Sequence, residues 1–531
     1  MQWGKKLLLL FVLLIVVVGC SSNDTDEDTE NDAEGSNTDS EVQVGGELKI
    51  AYSAQPATID PHMTTAVATS DIMRGVYETL VTVDEDQNFQ PMLAESYDIS
   101  EDGLIYTFNL RQGVTFHNGK EMKAEDVVAS MKRWQELSTN GRAQFAEATF
   151  EEVDEYTVEM VLPNPLSTAL SVLTSYLGSA PVILPKEIIE NAPDAGIDEH
   201  IGTGPFKFVE WRQDAHIQLT RNDDYQARDE EASGLAGKKE ALVDDVYFYF
   251  VTDASTRLAG MLSGEYDMAH AIAYDNVPQL EAADNIDIHI VPGSTQVLTF
   301  NQKKGVFSDI RAREAVRAAL SLDEMMQAAF GDEKYYTINH NLVMPHLEGQ
   351  FYSEFGKETH NQNDVEKGKQ IIEEAGLEGE EVVILSTRDY EEVYNASIVV
   401  QERLEQIGLS VRLDVVDWPT FLEKKEDENG FDINIVGFGP QPEPTSYLFV
   451  GKGPHSGWMD DDEFHDLVAE FRNQPTLEDT KDIYDEMMKW LEEDIAFIKV
   501  ADYNRVNVSQ KLVKNVHFLD GFITWNISKE Q

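Results

Sequence analysis

The residues that could carry chemistry are sorted first by their spacing. No Gly-x-Ser-x-Gly elbow is present to present a nucleophilic serine, and no His-Glu-x-x-His pair to seat a catalytic zinc. The nearest approach to the latter, Glu463-Phe464-His465-Asp466-Leu467, lacks the second histidine one helical turn on. Gly234-Leu235-Ala236-Gly237-Lys238-Lys239 lacks the glycine spacing and the hydroxyl of a phosphate-cradling loop, which removes the argument for an ATPase. Asp460-Asp461-Asp462-Glu463 supplies oxygen ligands but no glycine for the sharp turn of a calcium loop. Isolated acidic pairs carry no weight in a chain with 98 Asp and Glu. These spacings speak against a secreted hydrolase and imply no catalytic residue and no cofactor, so the function to look for is binding.

The start of the chain says where that binding takes place. Lys5-Lys6 precede an unbroken apolar run at 7–18, followed by Gly19, Cys20 and Ser21. Twelve apolar residues fall short of the ~20 that a membrane-spanning helix needs, so 1–19 reads as a secretory signal. Cys20 is the chain's only cysteine, and Val17-Val18-Gly19-Cys20 is similar to the lipobox of bacterial lipoproteins, with Val18 where Ala or Ser is usual. Lipidation of Cys20 is expected to leave no thiol, no disulfide and no Cys-based metal site. The segment 22–44 carries nine acidic and no basic side chains, so 20–46 reads as a disordered tether. The net charge of −57 repels nucleic acid and anionic headgroups, leaving the lipid as the membrane attachment.

The elements that must position a binding site begin after Gly45-Gly46, where Glu47-Leu48-Lys49-Ile50-Ala51 alternates as a half-buried strand. Asp102-Gly103 and Asn118-Gly119 mark turns, and Ala124-Glu125-Asp126 opens a helix with acidic residues at its positive end. Later, 382–386 reads as a strand, 393–407 as a helix stopped by Gly408, and 409–415 and 431–438 as further strands. Strand, helix, strand in this order predicts an α/β fold with a parallel sheet. Ligands of such sheets sit beyond the carboxyl ends of the strands, so the turn after Phe438 is a candidate site on topology alone. The 531 residues are too many for one core, and two or three domains are expected.

Five blocks carry a resemblance to a known family. They are IDPHM…GVYETLV…QPMLAESYDIS…EDGLIYTFNLRQGVTFHNGK…KAEDVVASMKRW between 59 and 134, IGTGPFKFVEW at 201–211, LSGEYDM at 262–268, TFNQKKGVFSDIRAREAVRAALSLDEM at 299–325, and VVDWPTFL at 415–422. Together they resemble the family 5 extracellular solute-binding proteins, which serve peptide, nickel and related ABC importers. Within them, Arg111, Phe116, His117 and Asp126 read as scaffold. The resemblance implies a two-lobed, periplasmic-binding-protein-like type II fold with an extra domain on the first lobe. Carried over, 47–70, 185–290 and 500–531 form lobe I, 71–184 the extra domain, and 291–499 lobe II, joined by crossing strands near 290–300 and 497–504. It also implies a monomeric receptor that hands its ligand to an ABC permease and ATPase.

The resemblance proposes site residues as well. In the family's peptide receptors, an aspartate three residues after a strand-ending tryptophan holds the peptide's α-ammonium. Aligning Glu443-Pro444-Thr445-Ser446 places Gly437 on that tryptophan and Pro440 on that aspartate, so Glu443 becomes the expected anionic anchor. Phe438 lies in the same turn, Trp418 corresponds to a pocket-wall tryptophan, and Lys425 to a base that meets a short peptide's carboxylate. Met63, Thr65 and Val67 lie in a turn similar to one that lines the cleft. The alternative ligand is nickel or a small metal chelate, with His455 where that branch of the family has a ligand histidine.

Overall fold

In the computed structural model of the chain, residues 44–176 and 179–530 are described. The signal 1–19, Cys20 and most of the acidic stretch after it lie outside the described residues.

One large mixed sheet runs through the body. In order across the sheet its strands are Ser410–Val416, Glu381–Thr387, Ile433–Phe438, Ile286–Phe300, Phe497–Gln510, Met268–Ala269, Glu47–Tyr52, Asp245–Phe250, His216–Arg221 and Phe206–Arg212. Tyr336–Thr337 adds a short strand against Phe497–Gln510. Glu381–Thr387 pairs parallel with both Ser410–Val416 and Ile433–Phe438, as the strand-helix-strand order required. The helix between the first two, Glu391–Gln406, buries Val393, Val400 and Leu404 along one stripe. On the other flank, Glu47–Tyr52 pairs parallel with Asp245–Phe250.

The centre of the sheet is the antiparallel pair of long strands, Ile286–Phe300 and Phe497–Gln510. In the first, Ile286 is buried and 287–292 is exposed or half-buried, whereas 293–300 is buried throughout. Leu298 and Phe300 join one apolar core and Val297 another, so this half is covered on both faces. The second long strand is buried at both ends and half-buried only at Tyr503, Asn504 and Arg505. Register shifts between Pro292 and Ser294 and between Gln296 and Val297 twist the pair at the same level.

A separate antiparallel sheet, ordered Ala94–Ile99, Ile105–Leu110, Thr157–Val161, Thr149–Asp154, packs against the helix Ala124–Leu137. Asp126 caps that helix by accepting from Lys123 N at 3.1 Å, and Val127, Met131 and Trp134 bury its inner face. With Phe108, Phe116 and Phe150 they form a core of their own drawn from 80–183. It is tied back by a bidentate pair in which Arg133 donates to Asp60 at 3.0 and 2.5 Å. Burial raises the Asp60 carboxyl, but the guanidinium outweighs this and holds it below the usual range.

Candidate functional site

A cavity of about 300 Å³ opens where the long strands become half-buried. Its floor is Gly293 and Ser294 from the first long strand and Arg505 and Asn507 from the second. One wall comprises Val67, Asp71, His270 and the loop 518–522; the facing wall includes His346, Gly439 and Pro440. The cavity therefore borders the turn that follows Ile433–Phe438, at the carboxyl end of that strand.

The first wall is a wired structure. Asp71, fully buried on the helix Val67–Met73, accepts from Tyr52 Oη at 2.6 Å and from Phe522 N at 3.1 Å. Arg74 lies 3.7 Å from the same carboxylate and donates to Leu519 O at 2.8 Å and Asp520 O at 3.0 Å, which pins the loop to the helix. Loss of solvent raises the Asp71 carboxyl despite Arg74 and Tyr52. Gly521 has φ 139°, and a Cβ there would come within 1.9 Å of Asp71 Oδ1, so only glycine lets the loop approach this closely. Its neighbour Asp520 has φ 52°, a left-handed conformation uncommon outside glycine, asparagine and aspartate.

Beside this loop the His270 ring stacks on Tyr52, 4.3 Å between centroids and 5° from parallel. Its Nδ1 lies 2.7 Å from Ser53 Oγ, while the buried Nε2 has no partner. Burial drives its pKa far below the ordinary value, so the ring is neutral at pH 7.

The residues singled out from sequence fall in several places. Val67 lines the cavity, and so does Pro440. Met63 lies instead in a recess with Lys132, Arg133 and Glu136, and Thr65 is exposed to solvent. Trp418 is half-buried, stacked 5.0 Å from Phe421 with Tyr390 edge-on at 4.8 Å. Phe438, Lys425 and His455 come together: Lys425 Nζ is 2.8 Å from His455 Nδ1 and 5.2 Å from the centre of the Phe438 ring. Burial lowers the lysine to about 8. Burial, then the neighbouring lysine, lowers the histidine to about 4.

Glu443 is not brought to the cavity. Its side chain is completely buried and accepts from Thr445 N at 2.6 Å, Thr445 Oγ1 at 2.7 Å and Ser446 Oγ. Arg472 then grips Thr445 through its hydroxyl at 2.9 Å and its carbonyl at 2.6 Å. The carboxylate thus serves as the cap of its own turn, Pro444–Ser446. A metal reading finds no donor set either: among the described residues no three His, Cys, Asp or Glu are placed to hold an ion.

With this geometry in hand, comparison with known proteins is decisive for class. Residues 88–458 match the family described as bacterial extracellular solute-binding proteins, family 5 Middle. The chain belongs to this family. Among curated relatives, the probable peptide ABC transporter periplasmic-binding protein y4tO of Sinorhizobium fredii is 28% identical over 458 residues, covering 82% of this chain and 84% of that one. The oligopeptide-binding protein AppA of Bacillus subtilis is 26% identical, covering 92% and 91%. Among solved structures, the PBP AgaA of A. tumefaciens R10, in complex with agropinic acid, is 25% identical with a TM-score of 0.73, covering 92% and 99%. The periplasmic-binding-protein type of α/β fold is therefore shared along almost the whole described length of this solute-binding protein. No helix among the described residues is long and apolar enough to cross a membrane.

Sequence reasoning passed over Asp71, His270, Arg505 and Asp520, four of the polar groups that face this solute-binding protein's cavity. Asp520-Gly521 is a turn signal of the same kind as Asp102-Gly103 and could have drawn notice to the loop. Nothing local distinguishes Arg505 in Asn504-Arg505-Val506-Asn507 from any polar residue of an alternating strand.

Proposed function

We propose that this solute-binding protein captures a short peptide in the cavity between the two flanks of its large sheet and delivers it to an ABC permease and ATPase. The observation that carries the reading is the cavity itself, floored by the only two strands long enough to serve both flanks among the described residues and walled from both sides. The two curated relatives named above are a probable peptide transporter's binding protein and an oligopeptide-binding protein, which supports a peptide over other solutes. The volume of about 300 Å³ stands at the small end of the ~300–1,000 Å³ usual for ligand pockets, which favours a short peptide over a long one.

The flanks act as lobes: 47–70, 185–290 and 500–531 as the first, 71–184 as an extra domain on it, and 291–499 as the second, with the long strands as hinge. Ligand bridging the walls closes them and expels water, strengthening each polar contact inside. The protein works as a monomer without catalytic role, held to the outer face of the cell membrane by lipid on Cys20 after removal of 1–19.

Mass spectrometry of ligand retained by gently purified protein tests the reading. Di- or tripeptide masses are expected. A retained metal with a small carboxylate chelator would overturn it in favour of the chelate alternative, in which His455 and the cleft hold the complex.

A further inference from the structure

The last four carbonyls of an α-helix have no partner within it and are commonly met by the residues that follow. Helix Asp462–Arg472 divides that duty. Ala469 O accepts from Asn473 N at 3.0 Å and Glu470 O from Gln474 Nε2 at 3.0 Å, both just downstream. Phe471 O and Arg472 O are met instead by Ser167, whose hydroxyl donates to the first at 2.7 Å and whose N–H donates to the second at 2.8 Å. Ser167 lies in the segment assigned above to the extra domain, so the end of a helix in the second lobe is capped from another part of the molecule. It is also held in place to do so. Pro163 and Pro165 stiffen the loop before it, Leu166 is anchored in the core drawn from 80–183, and Thr168 donates to Gln144 Oε1 at 2.8 Å.

Two further contacts join the same two bodies. The turn at Gly103, φ 69°, abuts the loop after the helix so closely that a Cβ there would lie 3.0 Å from Pro475 Cα. Gln350 Nε2 donates to Gln87 O at 3.4 Å, and Gln87 also lines the cavity. The helix end reaches the cavity's facing wall as well, because Arg472 is the residue that grips Thr445 in the turn after Pro440. We infer that the extra domain is a clasp for the closed receptor: Ser167 docks the carboxyl end of helix Asp462–Arg472 when the lobes meet and, through Arg472, sets the turn that walls the cavity. This rests on the two-lobe reading above and gives the extra domain a task within it. The capped carbonyls return to water when the lobes part, so each bond contributes only its margin over hydration, enough to bias closure without locking it. Serine suits the position, since it sets a short hydroxyl donor beside its own N–H at a helix end whose partial charge is negative. It acts as a positioning residue and does not line the cavity.

Cys20 is the chain's only cysteine, so the chain lacking 1–19 and carrying Cys20→Ser takes spin labels solely at cysteines placed on purpose. Glu152→Cys in the extra domain and Glu423→Cys in the second lobe, both exposed in the native chain, report the separation of the two bodies by pulsed electron resonance. The distance is read in protein as purified, stripped of ligand, and supplied with a dipeptide mixture. Protein as purified is expected to show a short, closed distance and stripped protein a longer one. Ser167→Ala should lower the ratio of closed to open about three- to ten-fold, and Ser167→Asp, which sets an anion against the two carbonyls, at least about ten-fold. Circular dichroism melts establish that the variants are folded, and if Ser167→Asp is not, Ser167→Ala decides. Variants that match the unsubstituted chain while stripping still lengthens its distance overturn the clasp and leave the two-lobe reading intact. One distance in every state and every variant overturns both.

Discussion

Lys425 shows how a single side chain couples burial to pH. Lys425 is 2% exposed, its hydrogen bond goes to neutral His455, and no carboxylate among the described residues lies within ion-pair distance, Glu426 acting on it only from farther off. Its pKa of about 8 against an ordinary 10.5 means that between these values the unfolded chain holds the proton and the folded one has released it. Stability therefore rises with pH through that window and carries the full penalty below it, about 3 kcal/mol at ~1.4 kcal/mol per unit. Lys425→Met should stabilise the protein by about 2 kcal/mol at pH 7, allowing ~1 for the lost bond to His455, and should flatten the dependence above pH 8. Urea melts from pH 7 to 10 measure both; a destabilised variant would mean that the amine has an anionic partner. Glu443→Ala should cost about 2–3 kcal/mol in the same melts, because three donors of its turn lose their acceptor, while leaving dipeptide affinity unchanged. Loss of affinity with stability intact would restore Glu443 as the ligand's anchor.

At the scale of elements, the contact between Ile433–Phe438 and the second long strand shapes the cavity's edge. A Cβ built on Gly437 would lie 2.6 Å from Tyr503 Oη, while the next ring atom is 3.4 Å away. The tyrosine thus occupies the space that a side chain at 437 would take, and its ring stacks on Phe330 at 4.7 Å. Gly437→Ala should then cost about 1–3 kcal/mol by overpacking. In Tyr503→Phe the offending oxygen is gone, and the same Gly437→Ala change should be nearly silent. A double-mutant cycle by chemical denaturation reads the coupling; additive costs would show that the strand, not the hydroxyl, resists the substitution.

The whole molecule is governed by a net charge of −57. Exposed ion pairs such as Lys452 with Asp460 at 3.3 Å contribute little each. Self-repulsion among the excess carboxylates is the larger quantity, and it is relieved by salt as the screening length falls from ~10 Å at 0.1 M to ~3 Å at 1 M. The melting temperature is accordingly expected to rise by several degrees between 0.05 and 1 M NaCl (about 1–2 kcal/mol), as followed by circular dichroism. A fall would place the ion pairs above the repulsion. The same charge bears on the proposed lipidation of Cys20: an acidic body would leave membrane attachment to that lipid, so the chain lacking 1–19 and carrying Cys20→Ser should partition into the aqueous phase of a detergent separation.

Sequence alone determined the class, the α/β architecture and the end of the sheet at which the cavity lies. Those properties are written in local patterns: alternation at 47–51, helical spacing at 393–407 ended by Gly408, turn dipeptides, and family blocks whose order survives divergence. Tertiary structure alone decided which residues face the cavity. Val67, His270, Arg505 and Asp520 are far apart in the chain and meet only because the two long strands pair across some two hundred residues. The same pairing decided which charges go unmatched. Glu443, the anion that sequence favoured, is consumed by the hydroxyls two and three residues on, whereas the Asp520 carboxylate, with the charges of His346 and Arg74 nearby, accepts no hydrogen bond from a described residue because the loop's duty falls to its backbone carbonyl. A sequence names the charges present; partners, and hence the charge left over for a ligand, exist only once distant segments have packed.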